Sequence, residues 1–224
     1  MTQLELIEIV QQHHPAMGQT EIRLALNRAQ DDYSARTELI KTSYVQNSTA
    51  GKRYYELHSD ILKITKVQIN DVEIPRLLQM PIIDDDEWAD GTNGLPTPSS
   101  STNERYWYVD NKRLGVVERL SNAVTRDSKS SEFQSISEAK EMRIHAIAQA
   151  TDFTTTLTSS SDLPSQFHEA LSSKVIAEGY LRPPNLNPNL YTVFDVKYKD
   201  FVKEGRKYAR SNYGHTGHIK PVDF

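Results

Sequence analysis

The sequence predicts an α+β protein in which an antiparallel β module, built like a sandwich or a barrel, is inserted into a bundle of helices. Apolar residues recur at helical spacing near both ends of the 224-residue chain, whereas β-branched and aromatic residues cluster between them. The length allows one large domain or two small ones. We expect a helical domain formed by residues 1–48 and 162–212, a β module at 49–161 and an extended C-terminal tail at 213–224.

The first part of the chain predicts two helices. A short helix should end at His14, because the residue before a proline avoids the helical region. After Gly18, apolar residues recur at spacings of three, four and seven, which predicts one helix of about seven turns. The first helix carries Leu4, Leu6, Ile7 and Val10, and the second carries Ile22, Leu26, Ala29, Tyr33, Ile40 and Tyr44.

The middle of the chain predicts strands. The stretches "RYYELH", "ILKITKVQIN" and "VEIPRLL" are separated by turn residues, which favours a three-stranded meander. The stretch "YWYVDNKRLGVVERL" predicts a hairpin that turns at Asp110–Lys112. In "EMRIHAIAQATDF", alternate apolar residues predict another strand, although the spacing of Ile136, Ala139 and Met142 also fits a helix.

Residues 81–104, "PIIDDDEWADGTNGLPTPSSSTNE", predict a long mobile loop. Four consecutive acids stand out in it: Asp84, Asp85, Asp86 and Glu87. Hard cations such as Ca²⁺ prefer several carboxylates, but this run lacks the alternating spacing of a calcium loop. A solvated acidic loop is therefore the favoured interpretation. If the loop lines a conduit, its charge would repel DNA phosphates.

The stretch "DLPSQFHEALSSKVIAEGY" contains His168-Glu169, which resembles half of a zinc site. Zinc proteases place a second histidine four residues after the first, but that position holds Ser172. The remaining histidines are scattered along the chain, so we predict no metal site. Instead Asp162 predicts an N-cap, with Pro164 in the first turn of a helix whose buried face holds Phe167, Ala170 and Leu171.

The other classes of function are weakly supported. The chain has no cysteine, no glycine-rich phosphate loop, no dinucleotide-binding motif and no nucleophile elbow, so we predict neither a catalytic site nor a cofactor. A net charge of −4 does not mark a general nucleic-acid or membrane binder. The sequence shows no signal peptide and no membrane-length apolar run. We therefore expect a soluble chain.

The end of the chain resumes helical spacing from Leu190 through Phe194, Tyr198 and Phe201 to Tyr208. Beyond this helix the tail still carries apolar and aromatic side chains, which a solvated end would not need. We expect these residues to dock on a partner or a neighbouring subunit. They are Tyr213, Ile219, Val222 and Phe224.

Together these stretches resemble the head-to-tail adaptor, or connector, proteins of tailed bacteriophages. The resemblance lies in the helical hairpin, "RYYELHSDILKITKVQIN", "RYWYVDNKRLGVVERL", "LPSQFHEALSSKVIAEGYL" and the long final helix. It implies a ring, commonly of twelve copies, that lies beneath the portal protein at the head-to-tail junction of the virion and meets tail proteins below. Genomic DNA would pass through the lumen without sequence-specific binding. The resemblance also implies that the tail 213–224 reaches the portal. It does not place the loop 81–104, and facing the channel or the tail is our own expectation for the acidic residues 84–87.

Two alternatives remain open at this level. Trp107 and Tyr108 on a strand could bind glycans or a host surface, with the helices as an oligomerisation stalk. A soluble hydrolase with an unrecognised site is the other alternative.

Overall fold

The computed structural model describes residues 1–78, 104–119, 133–183 and 185–213. Within these residues it contains four α-helices and antiparallel sheets, so the α+β prediction is confirmed. The chain forms two compact units. The helical unit comprises Met1–Lys41 and Ile147–Phe224, and the β unit comprises Thr42–Ala146.

Helix α1 spans Gln3–His13 and begins at a capping box. Thr2 Oγ1 accepts a hydrogen bond from the Glu5 backbone N–H, and the Glu5 carboxylate accepts one from the Thr2 N–H. The helix buries Leu6, Ile7 and Val10 and ends before His14, as the following proline predicts.

Helix α2 spans Gln19–Thr37, so the predicted seven-turn helix is too long. Glu38 adopts a left-handed conformation, with φ of 54°, and ends the helix. Ile40 follows this turn, and Tyr44 lies on strand β1, Lys41–Asn47. Ile40 and Tyr44 are four residues apart, a separation that fits both a helix and an alternating strand. The apolar spacing therefore extends past the true end of the helix and makes the predicted helix too long.

The second helical segment starts later than predicted. The Asp162 carboxylate accepts the Thr151 backbone N–H at 2.9 Å and caps no helix. A short 3-10 helix, Ser165–Phe167, follows Pro164 and leads into α3, His168–Gly179. Helix α4 spans Pro188–Tyr213. All four helices contribute to one apolar core that includes Leu6, Ile7, Leu26, Tyr33, Phe167, Leu171 and Tyr198.

The β unit contains two sheets with the strand orders β1-β8-β3-β4 and β2-β6-β5, and β7 also pairs with β6. The remaining strands are β2 Tyr54–Glu56, β3 Ile61–Ile69, β4 Val72–Ile74, β5 Arg105–Asp110, β6 Arg113–Arg119, β7 Phe133–Ser135 and β8 Glu141–Ala148. Apolar side chains from both sheets form one core, which includes Tyr55, Val67, Trp107, Leu114, Val116, Met142 and Ile144.

The β5–β6 hairpin and strand β8 are confirmed. The predicted meander is wrong, because β3 and β4 pair as a hairpin but β2 pairs with β6 in the other sheet. Alternation shows that a segment is a strand but does not specify a distant partner. The acidic residues Asp84, Asp85, Asp86 and Glu87 lie outside the described residues, as does the tail beyond Tyr213.

Candidate interaction surfaces

His168 is buried and holds the start of α3 in place. Its Nε2 donates to the Leu163 carbonyl at 2.8 Å, and its Nδ1 lies 2.8 Å from the Met1 backbone nitrogen. Because Nε2 carries the proton, Nδ1 is the acceptor of this second bond. The side chain is 3% exposed, so the imidazole is enclosed by its own fold. These contacts give His168 a structural role.

The next residue, Glu169, contacts a different element from those that His168 contacts. Its carboxylate forms an ion pair with Lys197 on α4, and Ser172 donates to the Glu169 carbonyl at 3.0 Å. Within the residues that the structure describes, no group of three His, Cys, Asp or Glu side chains could hold a metal ion. Glu169 therefore links α3 to α4, while His168 ties the start of α3 to Leu163 and Met1.

A partly buried polar contact joins α2 to the inner face of α4. Tyr198 donates to Asp32 at 2.7 Å, and Arg36 donates to the other carboxylate oxygen at 2.8 Å. Burial acts to raise the pKa of Asp32, but the hydrogen bonds from Tyr198 and Arg36 outweigh it and hold that pKa below its usual value. Asp32 is therefore ionised at neutral pH. Burial and the Asp32 contact raise the pKa of Tyr198, which keeps its donor proton.

The outer face of the same region is apolar. Leu186 precedes α4, and Leu190, Val193 and Val196 follow at spacings of three and four residues along its first turns. Their exposed fractions lie between 38% and 62%. Within α4, Leu190, Val193 and Val196 share one helix face because of this spacing, and Leu186 is the exposed leucine just before the helix. We name these four residues the α4 stripe. It is a row of apolar side chains that the helical unit leaves uncovered.

The other end of α4 is basic. A groove of about 590 Å³ lies between the ends of α2 and α4, and Arg36, Lys41, Arg206 and Arg210 line it together with Glu38. Arg206 Nε donates to the Arg36 carbonyl at 2.9 Å, which ties the two helix ends together. The helix ends three residues after Arg210, so this positive surface adjoins the start of the C-terminal tail.

The aromatic side chains on β5 do not form a binding platform. Trp107 and Tyr108 are each 3% exposed. The Tyr108 ring lies so close to Gly115 that a Cβ there would approach it to 2.3 Å. Rings enclosed in this way cannot stack on a sugar or a base. The glycan-binding alternative therefore loses the two residues on which it depended.

The family model for SU10 adaptor protein matches residues 1–204 of the chain. The match spans both units and ends within α4. The chain belongs to the SU10 adaptor protein family. This is a family of phage head-to-tail adaptors, which confirms the resemblance. No curated protein matches the chain.

Membership in the SU10 adaptor family implies a structural, non-enzymatic protein at the head-to-tail junction of the virion. It also implies interaction with portal and tail proteins. None of the helices in the described part of this adaptor has the length and apolar character needed to cross a membrane.

Sequence reasoning missed the α4 stripe of this adaptor. The sequence predicts that Leu190 lies on the same face as Phe194 and Tyr198, but the structure leaves its side chain exposed on the outer face. The helix carries two apolar rows, an inner one and an outer one that ends at Val196. Spacing alone shows both rows and does not say which faces the core. Of the four tail residues predicted to dock, Tyr213 ends α4, and the other three lie beyond the described residues, so their docking stays a prediction.

Proposed function

We propose that this adaptor forms a ring below the portal, joins the capsid to the tail and lets genomic DNA pass through its lumen, without catalytic activity of its own. The family match over residues 1–204 carries the proposal. We also propose that the acidic residues 84–87 face the channel or the tail.

The α4 stripe supports ring formation. In a ring each copy presents two different faces to its neighbours, and the contact closes by symmetry. An uncovered apolar row on a helix suits one of these faces, because burying about 100 Å² of apolar surface contributes about 2.5 kcal/mol. We therefore assign the stripe to the contact between copies.

A double substitution tests the stripe. Val193→Asp with Val196→Asp should leave the chain folded, since both side chains are more than half exposed. It should raise the concentration at which rings assemble by at least about tenfold, because each carboxylate would be desolvated in the contact. Sedimentation velocity measures the assembly, and far-UV circular dichroism checks the fold.

The matched control places the same change in the β unit. Val45→Asp with Val72→Asp alters two valines that are also more than half exposed. We expect ring assembly of this variant to be unchanged. If the control pair blocked assembly and the α4 pair did not, the contact would lie in the β unit and our assignment would be wrong.

The C-terminal tail is the proposed attachment to the portal. A chain truncated after Asn212 loses Tyr213, Ile219, Val222 and Phe224. It should keep the fold and the ring, because the apolar core lies before this point. Its capture by purified portal protein should fall by at least about tenfold if these side chains are buried in the contact. Capture equal to that of the full chain would refute the docking role.

The proposed function as a whole is tested on particles. Cryo-electron microscopy of the virion neck should show rings of the 25.5 kDa chain around a central channel below the portal. The chain's absence from the head-to-tail junction would overturn the proposal.

A further inference from the structure

The β unit contains a cleft of about 720 Å³, which is in the size range of ligand pockets. Its walls come from the segment after β2, the first half of β3, and the β5–β6 hairpin. Leu57, Leu62 and Val109 form apolar parts of the wall, and Leu62 and Val109 are both 44% exposed. The cleft therefore offers an apolar surface that is open to solvent.

The rim of this cleft is basic. His58, Lys63, Arg76 and Lys112 line it, and no acidic residue is found among the described residues that do so. His58 is paired with Asp60, which does not line the cleft, so we assign the positive charge of the rim to Arg76 and Lys112. An apolar floor with a cationic rim favours an apolar ligand that carries carboxylates.

Backbone hydrogen bonds fix the segment that carries Arg76 against β5 at one end of the cleft. Residues 75–77 run parallel to β5, where the Trp107 N–H donates to the Pro75 carbonyl and the Leu77 N–H donates to the Trp107 carbonyl. This pairing places the Arg76 guanidinium 5.2 Å from the centre of the Trp107 ring. A cation over an aromatic face is attracted to it, so Arg76 is held at the rim before any ligand arrives.

We propose that this cleft binds an extended peptide segment of another neck protein, one that carries aliphatic side chains next to two or more carboxylates. Leu62 and Val109 contact the aliphatic side chains, while Arg76 and Lys112 pair with the carboxylates. A sugar ligand would need an exposed aromatic face, but Trp107 is enclosed. Nucleic-acid phosphates could pair with the cationic rim, but they would leave the apolar walls exposed to water. A peptide with aliphatic side chains would cover those walls and therefore fits the cleft better than a nucleic acid. The identity of the peptide's source as another neck protein rests on the proposed function, whereas the chemistry of the peptide is inferred from the cleft itself.

The chemistry of the cleft is tested on the purified full-length chain. The probe is a synthetic peptide, acetyl-GVLEDELG-amide, whose sequence does not occur in this chain, and its control replaces each acid by the corresponding amide. We expect the acidic peptide to bind at least about threefold more tightly, and Lys112→Glu to remove that difference. The control variant is Lys66→Glu, which lies on β3 outside the cleft and should not change binding. Equal binding of both peptides, or no effect of Lys112→Glu, would overturn the proposal.

The partner is identified in assembled particles. A photo-crosslinking amino acid at Leu62 or Val109 should capture an acidic and aliphatic segment of another protein, whereas the same label at Val72, outside the cleft, should not. Capture of this chain's own residues, of DNA or of glycan, or capture no greater than at Val72, would refute the proposed occupant. Failure of the proposed neck role would instead appear as absence of the chain from the particle, and the peptide titration remains independent of it.

Discussion

Phe167→Ala should lower the free energy of unfolding of the helical unit by about 3–5 kcal/mol, the usual cost of removing a buried phenylalanine. Phe167 is 3% exposed and belongs to the core formed by the four helices. Its ring centre lies 5.9 Å from that of Tyr33 on α2 and 5.6 Å from that of Tyr208 on α4. The substitution therefore leaves a cavity where three segments meet.

Urea unfolding followed by circular dichroism at 222 nm measures this loss, because that signal reports mainly on the helices. The chain has two units, so the transition of the helical unit should move to lower urea while that of the β unit stays in place. Leu181→Ala is the control, since Leu181 is 48% exposed and should cost less than about 1 kcal/mol. A similarly small loss for Phe167→Ala would mean that Phe167 does not belong to the core.

Local signals in the sequence were enough to find most elements. Pro15 marks the end of α1, and Asn111-Lys112 mark the β5–β6 turn, where both residues have positive φ. These signals depend on neighbours in the chain. The end of α2 depends on the left-handed conformation of Glu38. Glutamate has no strong preference for that conformation, so the sequence does not predict where the helix ends.

The pairing of β2 with β6 could not be predicted in the same way. Tyr55 lies opposite Leu114, a partner 59 positions later in the chain. The reason for this pairing is the shared core of the two sheets, to which both residues contribute. Such a core is a property of the folded chain, and alternation along one strand contains no information about it.

The interaction surfaces show a similar limit. The resemblance to the family rests on segments such as "LPSQFHEAL" and on their order along the chain, and the family match over residues 1–204 confirms it. The α4 stripe and the basic cleft required the structure, since each depends on which side chains other elements cover. From the sequence alone, a helical row of leucines and valines predicts a core-facing surface. The structure shows that the opposite face of α4 is the buried one.

Glu118→Ala should lower the free energy of unfolding of the β unit by about 3–5 kcal/mol, because it leaves a buried charge without its partner. Arg105 Nε lies 2.7 Å from Glu118 Oε1, and both side chains are 9% exposed. The other carboxylate oxygen accepts the Ser137 N–H at 3.1 Å and the Ser137 hydroxyl at 2.9 Å. One carboxylate therefore joins β5, β6 and the segment after β7.

A half-exposed ion pair at the open end of the β5–β6 hairpin is the matched control for Glu118→Ala. Arg119 and Glu104 are half exposed and lie 3.3 Å apart, so Glu104→Ala should cost less than about 1 kcal/mol. Fluorescence of Trp107, in the core of the β unit, follows unfolding in a Trp88→Phe background. Arg105→Met with Glu118→Leu should recover most of the loss, since apolar pairs often replace buried ion pairs at little cost. If the double variant were as unstable as Glu118→Ala alone, the loss would come from the Ser137 hydrogen bonds, and the unpaired charge of Arg105 would not be its cause.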